Sequence, residues 1–138
     1  MKKNKSSSIF KTICLFICMV IVSLATQAQT PAANISGPLK ATANGANIAI
    51  TSQIIFGYQN PGLTYTLDNN TSGASIVSKA AYIYDPTTEE GTQKVEINPG
   101  NSAGSFVITL EVKTIAGTGK CSKSVVVYDE SSSNGQNH

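Results

Sequence analysis

The sequence Phe106-Val-Ile-Thr-Leu-Glu-Val-Lys113 carries the longest alternating pattern in this 138-residue chain. Phe106, Ile108, Leu110 and Val112 fall on one face, and the residues between them are mainly polar. Because successive side chains of a β-strand point to opposite faces of a sheet, this pattern predicts a strand with one buried face. A helix would instead place apolar residues three and four positions apart.

Shorter segments of the same kind lie on both sides of this strand. Leu63, Tyr65 and Leu67 alternate with threonines, while Val95 and Ile97 flank a glutamate. Turn residues rich in Asn, Pro and Gly separate these segments, and no stretch has a sustained helical period. We therefore predict an all-β protein of seven to nine short strands, arranged as a Greek-key β-sandwich.

Asn44-Gly45 predicts a two-residue β-hairpin, because this pair favours the type I′ turn. Such a turn would place six apolar side chains on one face: Leu39, Ala41, Ala43, Ala46, Ile48 and Ile50. Further along the chain, residues 53–58 predict a buried strand or a strand that continues past a bulge at Gly57.

The first 28 residues have the composition of a secretory signal peptide. Four lysines precede the apolar segment 13–25, which is shorter than the roughly 20 residues that a membrane span needs. Thr26 and Ala28 then occupy positions −3 and −1 of a signal-peptidase site. We expect cleavage before Gln29 and export, with the periplasm, the cell surface and the extracellular space left open.

Cleavage would leave a chain of three parts. Residues 29–34 are a lead-in that we expect to be flexible, residues 35–129 form the sandwich, and residues 130–138 are a tail that we expect to be disordered. Residues 29–138 contain six lysines, no arginine and eight acidic residues, a net charge of −2. This balance argues against a protein that binds nucleic acid through its phosphates.

Four segments stand in an order that is similar to that of a known domain family. They are Ile35-Ser-Gly-Pro38, Leu63-Thr-Tyr65, Ala103-Gly-Ser-Phe-Val-Ile-Thr-Leu110 and Cys121-Ser-Lys-Ser-Val-Val-Val127. In this order they resemble a PKD-like domain, an immunoglobulin-like domain of bacterial secreted and cell-surface proteins. The resemblance implies an immunoglobulin-like sandwich and specifies little about function, because its motifs are packing and turn residues.

Two departures from the family pattern concern the core. Such domains often pair the late cysteine with one that follows the opening Gly-Pro, and residues 41–43 offer none. The tryptophan that often stands two residues after the third-strand tyrosine is Leu67 here. Without an internal bridge, Cys121 is a small residue at a strand entrance, a thiol that pairs between molecules or a reactive thiol.

No arrangement of residues predicts catalysis, so we expect that the protein is not an enzyme. The only histidine is His138, the last residue of the predicted tail, where nothing would hold it against a nucleophile. The same scarcity argues against histidine-based metal clusters. Asp85 and Glu89 would need a cleft between them to cleave a glycosidic bond, and a thin sandwich gives no reason to expect one.

Two groups of side chains are candidate calcium ligands. Asp68 and Asn70 form the first group, and Asp85 and Glu89 form the second. Ca²⁺ is bound by such oxygen atoms, although neither group has the spacing of an EF-hand. The competing interpretation is that Asp and Asn form turns by bonding their own backbone, and the protein then needs no cofactor.

Tyr82 and Tyr84 are the candidate partner-binding residues. They alternate onto one face of a short predicted strand, with Ile83 on the other face. Exposed tyrosines stack on sugars or anchor a protein partner. The alternative is that one or both pack into the core or cover a sheet edge.

The sequence offers no catalytic arrangement, and the predicted fold is a β-sandwich. Together these two points favour a non-enzymatic binding or adhesion module that presents loops or a sheet face to a surface macromolecule, either protein or glycan. The alternative is a structural subunit that assembles with copies of itself through exposed sheet edges, into an extracellular or envelope-associated polymer. We expect no nucleic-acid partner and no stable membrane insertion after cleavage.

Overall fold

A computed structural model describes residues 29–130. The predicted signal peptide, residues 1–28, and residues 131–138 of the predicted tail lie outside the described residues. Within residues 29–130, no helix is long and apolar enough to cross a membrane.

The described residues form nine β-strands, which confirms the predicted all-β class. In chain order they are β1 (Ala32–Ser36), β2 (Lys40–Thr42), β3 (Ile48–Ile55), β4 (Gly62–Asp68), β5 (Ser75–Lys79), β6 (Ile83–Asp85), β7 (Glu90–Asn98), β8 (Gly104–Thr114) and β9 (Gly117–Tyr128).

The strands divide between two sheets. Sheet I has the order β1-β3-β7-β5, and the short strand β6 also pairs with β7. Sheet II has the order β2-β9-β8-β4. Neighbouring strands are antiparallel except for β2 and β9, which run parallel.

The core lies between the sheets and is built from alternating strand positions. Its almost fully buried side chains from sheet I are Ile50, Ile54, Val95 and Ile97, and those from sheet II are Phe106, Ile108, Leu110, Val112, Val125 and Val127. Each side chain of this size contributes roughly 1.5 to 3 kcal/mol when it leaves water. The predicted inward faces of β7 and β8 are therefore confirmed.

The predicted hairpin at Asn44-Gly45 is wrong. β2 pairs with β9, whereas β3 pairs with β1 and β7, so the two flanking segments belong to different sheets. A type I′ turn needs positive φ at both central residues, and of this pair only Asn44 has one, at 58°. The amide of Gly45 donates to the carbonyl of Thr42, which centres the turn on residues 43–44.

Backbone hydrogen bonds to distant segments explain why residues 40–50 do not form the predicted hairpin. The amide of Ala43 donates to the carbonyl of Tyr128, and the amide of Asn44 donates to the carbonyl of Gly100, each at 2.8 Å. The segment is therefore tied to the end of β9 and to the loop after β7. Local turn preference is outweighed by these contacts and by core packing on both sides of the turn.

Two strand boundaries also differ from the prediction. β1 begins at Ala32, inside the segment 29–34 that the sequence predicts as a flexible lead-in, because residues 32–34 pair with residues 53–55 of β3. β3 ends at Ile55, before the end of the strand predicted over 53–58. Phe56 and Tyr58 have positive φ and cannot continue a strand.

One end of the fold positions the candidate site. Ile55 of β3 pairs with Glu90 of β7, and Gly62 of β4 pairs with Lys113 of β8. The loop 56–61 and the tight turn between β8 and β9 therefore lie at the same end, which we call the groove end.

Candidate functional site

A groove of about 440 Å³ opens at the groove end. We call it the end groove and define it by its lining residues: Tyr58, Gln59, Asn60, Tyr84, Thr114 and Ile115. They come from the loop 56–61, from β6 and from the β8–β9 turn, so both sheets contribute to the site. None of these residues carries a charge at neutral pH.

The loop 56–61 holds its aromatic residues in a strained backbone. Phe56 and Tyr58 have φ angles of 57° and 59°, a region that non-glycine residues rarely adopt. Each such residue costs on the order of 1 to 3 kcal/mol, and such strain is concentrated at ligand sites. Gly57 fits between them because a Cβ there would lie only 2.5 Å from Ile54 Cγ2 and 2.6 Å from the Tyr82 hydroxyl.

Tyr82 supports this loop from the protein side. Its half-buried ring packs against the core, and its hydroxyl donates a 3.2 Å hydrogen bond to the carbonyl of Tyr58. The amide of Phe56 donates at 3.1 Å to the carbonyl of Glu89, which ties the loop to the turn before β7. Burial raises the pKa of Tyr82, and the neighbouring Tyr84 adds to this. The Tyr82 hydroxyl therefore keeps its proton and remains a donor at neutral pH.

The two predicted partner-binding tyrosines have different roles in the structure. Tyr84 lines the end groove, whereas Tyr82 packs beneath the loop that forms the opposite wall. The alternation within this segment is as expected, because both tyrosines are half-buried and Ile83 between them is 69% exposed. Tyr84 is thus a candidate contact residue, and Tyr82 is a positioning residue.

The β8–β9 turn places an isoleucine in solvent beside the groove. Ile115 is 96% exposed and lies between Thr114 and Gly117, which pair across the two strands. The Thr114 hydroxyl accepts from the amide of Ala116 at 3.2 Å and donates to the carbonyl of Gly117 at 3.4 Å. These bonds fix the turn and hold Ile115 away from the core.

Gln59 and Asn60 supply free polar groups to the groove. Both residues are exposed, and neither side chain has a hydrogen-bond partner within residues 29–130. A primary amide carries both donors and an acceptor. The groove therefore combines aromatic surface with amide groups that the protein itself does not use.

The first predicted calcium group takes part in other contacts. A carboxylate oxygen of Asp68 accepts hydrogen bonds from Thr109 at 2.9 Å and from Thr66 at 3.3 Å. The Asn70 amide donates to the carbonyl of Ala74 at 2.7 Å and accepts from its amide at 2.8 Å, which closes the loop after β4. These bonds give both residues a structural role that requires no metal.

The second predicted group, Asp85 and Glu89, flanks the turn between β6 and β7. Asp85 accepts a 2.8 Å hydrogen bond from the amide of Thr87, which lowers the pKa of its carboxyl. Glu89 has a φ of 58° and contributes its main-chain carbonyl to the loop contact with Phe56. In the part of the chain that the structure describes, no three His, Cys, Asp or Glu side chains come together as a metal site.

Cys121 is a free, partly buried thiol on β9. It packs against the core and lies opposite Leu110 of β8. Burial raises the pKa of this thiol, although a hydrogen bond with the Leu110 backbone acts in the opposite direction. A raised pKa leaves little reactive thiolate at neutral pH, so the environment is that of a packed strand residue.

Sequence reasoning identified Tyr84 but missed the other residues of the end groove. The apolar run 53–58 predicts a strand, which conceals the fact that Tyr58 lies in a loop. The available signals were the Asn60-Pro61-Gly62 turn and an isolated Ile115 among turn residues. No local pattern indicates that these two turns meet, because their proximity depends on the pairing of β4 with β8.

No protein-family model matches this chain, and no match was found among proteins of curated function. What the fold and the site define is a two-sheet, all-β domain with an uncharged groove built from loops at one end.

Proposed function

We propose that this protein is an exported, non-enzymatic binding module that contacts a macromolecule outside the cytoplasm through the end groove. The observation that carries the proposal is the fixed, strained loop 56–61, which holds Tyr58 and two free amides opposite Tyr84. A loop that is already ordered loses less entropy on binding. Tyrosine is also a residue type that dominates binding energy at interfaces.

The strand order supports an immunoglobulin-like, PKD-like version of the two-sheet fold. An immunoglobulin sandwich has strands A, B, E and D in one sheet and strands C, F and G in the other. If β1, β3, β4, β5, β7, β8 and β9 are taken as A to G, sheet I has the order A-B-E-D and sheet II contains G-F-C. The loop 56–61 and the β8–β9 turn then correspond to the B–C and F–G loops, which carry binding sites in antibodies.

The chemistry of the groove favours binding over catalysis. Its lining residues provide no carboxylate, imidazole, amine or thiol. Such groups act as general acids and bases or activate a nucleophile, so the lining offers no base that would activate the hydroxyls of Tyr58, Tyr84 and Thr114. The amides and aromatic rings that are present instead suit recognition, and the module as proposed needs no cofactor.

Export is proposed from the leader pattern of residues 1–28, and the periplasm, the cell surface and the exterior all fit it. Cell fractionation, with N-terminal sequencing of the purified protein, tests this part of the proposal. A mature protein that begins at Gln29 would support export. An uncleaved chain in the cytosol would contradict it.

The binding role is tested with protein purified after expression of the full-length chain. We expect retention on at least one of immobilised peptidoglycan, mucin or collagen, and a loss of about tenfold or more in affinity with Tyr84→Ala. Tyr128→Ala is the matched control, because Tyr128 is exposed and lies at the opposite end of β9. Retention that does not depend on Tyr84 or on the exposed Gln59 would overturn the proposed site, and no retention on any support would overturn the binding role.

A self-assembling structural subunit is the second candidate, and the free edge of β4 favours it. Within residues 29–130, β4 is an outer strand of sheet II and pairs only with β8, so it is a template for pairing with another copy. Lys79 acts against such pairing, because its ammonium lies 5.6 Å from the centre of the Tyr65 ring in β4 and charge beside an edge strand deters association. Light scattering in reductant distinguishes the two, since a binding module stays monomeric at all concentrations and a subunit does not.

A further inference from the structure

We infer that the end groove takes a neutral oligosaccharide, an inference that rests on the proposed binding function and names the chemical class of its ligand. Two other concave surfaces of the described residues provide a comparison. One on sheet II is lined in part by Glu111 and Lys120, and one on sheet I is lined in part by Lys94 and Glu96. The end groove alone among these three has no charged lining residue, so it lacks the cations that would recognise a sulfated or carboxylated polymer.

The polar groups of the groove match those of a sugar. A sugar hydroxyl both donates and accepts hydrogen bonds, and so do the amides of Gln59 and Asn60 and the hydroxyls of Tyr58 and Tyr84. Neither amide has a hydrogen-bond partner within residues 29–130. The unused hydrogen-bond donors and acceptors of these two amides can therefore be satisfied together by several adjacent hydroxyls of one ligand.

The apolar groups of the groove match the other surface of a sugar ring. Tyr58 is 36% exposed and Tyr84 is half-buried, so each presents part of its ring to the groove. Aromatic rings offer a large, rigid apolar face at low conformational cost, and the C–H face of a pyranose packs on such a ring. Ile115 extends this apolar surface at the open side.

The volume of the groove and the elements that line it favour a glycan over an extended peptide. A volume of about 440 Å³ lies within the range of small-ligand sites, and the open end lets a longer chain continue into solvent. A peptide that adds a strand binds to the free edge of a sheet. The groove is lined by a loop, a tight turn and Tyr84 of the three-residue strand β6, so it offers no long continuous edge of this kind.

The test uses protein purified after expression of the full-length chain and short linear oligosaccharides as probes. The neutral set contains cello-, xylo-, malto-, manno- and chito-oligosaccharides, and the charged set contains oligogalacturonates and heparin fragments. Because the chain has no tryptophan and five tyrosines, tyrosine fluorescence reports ligand contact directly, and isothermal titration calorimetry gives the affinity. We expect at least one neutral oligosaccharide to bind and both charged probes to fail.

The variants test the geometry. Tyr84→Ala should weaken binding by about tenfold or more, while Tyr84→Phe, which keeps the ring, should stay within a few fold. Gln59→Ala changes an exposed side chain that makes no hydrogen bond within residues 29–130, so it should keep the fold and weaken binding several-fold. Tyr128→Ala should bind as the unaltered protein does. Circular dichroism confirms that each variant is folded.

The possible failures are distinguishable. If no neutral oligosaccharide binds, or if a charged probe binds instead, the ligand class is wrong. If the protein is retained on immobilised collagen in a way that depends on Tyr84, and no oligosaccharide binds, the binding function stands and the inference falls. If sugar binding is unaffected by both Tyr84→Ala and Gln59→Ala, the groove is not the site, and the inference and the proposed function fall together.

Discussion

The hydroxyl of Tyr65 in β4 donates a 3.1 Å hydrogen bond to the hydroxyl of Ser52 in β3, across the interior between the two sheets. Both residues are buried. Since a buried polar group without a partner keeps its full desolvation cost, each hydroxyl depends on the other. The bond adds a directional contact between sheets whose remaining core contacts are apolar.

Removing this bond should be measurable as lost stability. Tyr65→Phe is expected to lower the free energy of unfolding by about 1 to 2 kcal/mol, because the Ser52 hydroxyl loses its partner. Ser52→Ala should have a similar effect, and the double variant should cost less than the two single changes together. Urea denaturation of the four proteins, followed by circular dichroism, measures this coupling. Strict additivity would contradict it.

Tyr65 also predicts a loss of stability in alkali. Burial raises the pKa of Tyr65 above its ordinary value near 10.0, the hydrogen bond with Ser52 opposes that rise, and the charge of Cys121 adds to it. Because the unfolded chain then releases this proton at lower pH than the folded protein, the contribution of Tyr65 is present below pH 10 and is lost as pH rises through the folded pKa.

The measurement is the urea midpoint between about pH 8 and about pH 11, a range that spans the ordinary pKa of tyrosine. The midpoint of the unaltered protein should fall in the upper part of this range. Tyr65→Phe should start from a lower value and fall less steeply, because it has no phenol to ionise at this position. Parallel curves for the two proteins would show that Tyr65 is not the titrating group.

The buried face of β8 could be predicted from the sequence because buried and exposed side chains alternate along a strand with a period of two residues. Phe106, Ile108, Leu110 and Val112 alternate, and all four are fully buried. A shift of one residue would turn each of these side chains to the opposite face. The burial pattern of a strand is thus a local property, and sequence alone determines it well.

Sheet membership and the end groove could not be predicted in this way. Asn44-Gly45 has the local preference for a hairpin, yet contacts with Gly100 and Tyr128 carry the chain from one sheet to the other. Tyr58 follows an apolar run, and its carbonyl accepts a hydrogen bond from the hydroxyl of Tyr82, 24 positions away. Such features are set by contacts between distant segments, which a periodic pattern does not contain.

Gly37 connects β1 to β2 at the point where the chain changes sheets, and its backbone predicts a severe effect of substitution. Its φ is 148°, and a Cβ there would lie 2.7 Å from Ile50 Cδ1 and 3.0 Å from the carbonyl oxygen of Ala49. Gly37→Ala is therefore expected to lower the free energy of unfolding by about 1 to 3 kcal/mol.

Gly62→Ala is the matched control for this change. A Cβ at Gly62 would meet nothing closer than 3.6 Å, at Lys113, so its effect should stay within about 0.5 kcal/mol. Thermal and urea denaturation compare the two variants. Equal destabilisation by both would mean that the positive φ and the close contacts at Gly37 do not control the result, because the loss of unfolded-chain entropy in Gly→Ala is itself stabilising.

We expect the Cys121 thiol to react slowly in the folded protein. It is partly buried against the core, and its pKa is raised by burial, so both access and thiolate fraction are reduced. Reaction with a disulfide reagent at pH 8 should be at least several-fold slower than the same reaction in urea. A folded protein that reacts as fast as the unfolded chain, or that forms reductant-sensitive dimers on standing, would indicate an accessible thiol instead.

Tyr82→Phe tests whether the Tyr82 hydroxyl holds the loop 56–61 in its conformation. The change removes the hydrogen bond to the Tyr58 carbonyl and keeps the ring, which packs over Gly91, so the cost to global stability should be only about 0.5 to 1.5 kcal/mol. Amide hydrogen exchange should accelerate over residues 56–61, most clearly at the Phe56 amide that donates to Glu89. Residues 98–103, at the far end of the sheets, serve as the internal control and should keep their rates. If the rates in the two loops change equally, the fold has loosened as a whole; if neither changes, the strained backbone of Phe56 and Tyr58 is held by the packing around Gly57 and not by the Tyr82 hydroxyl.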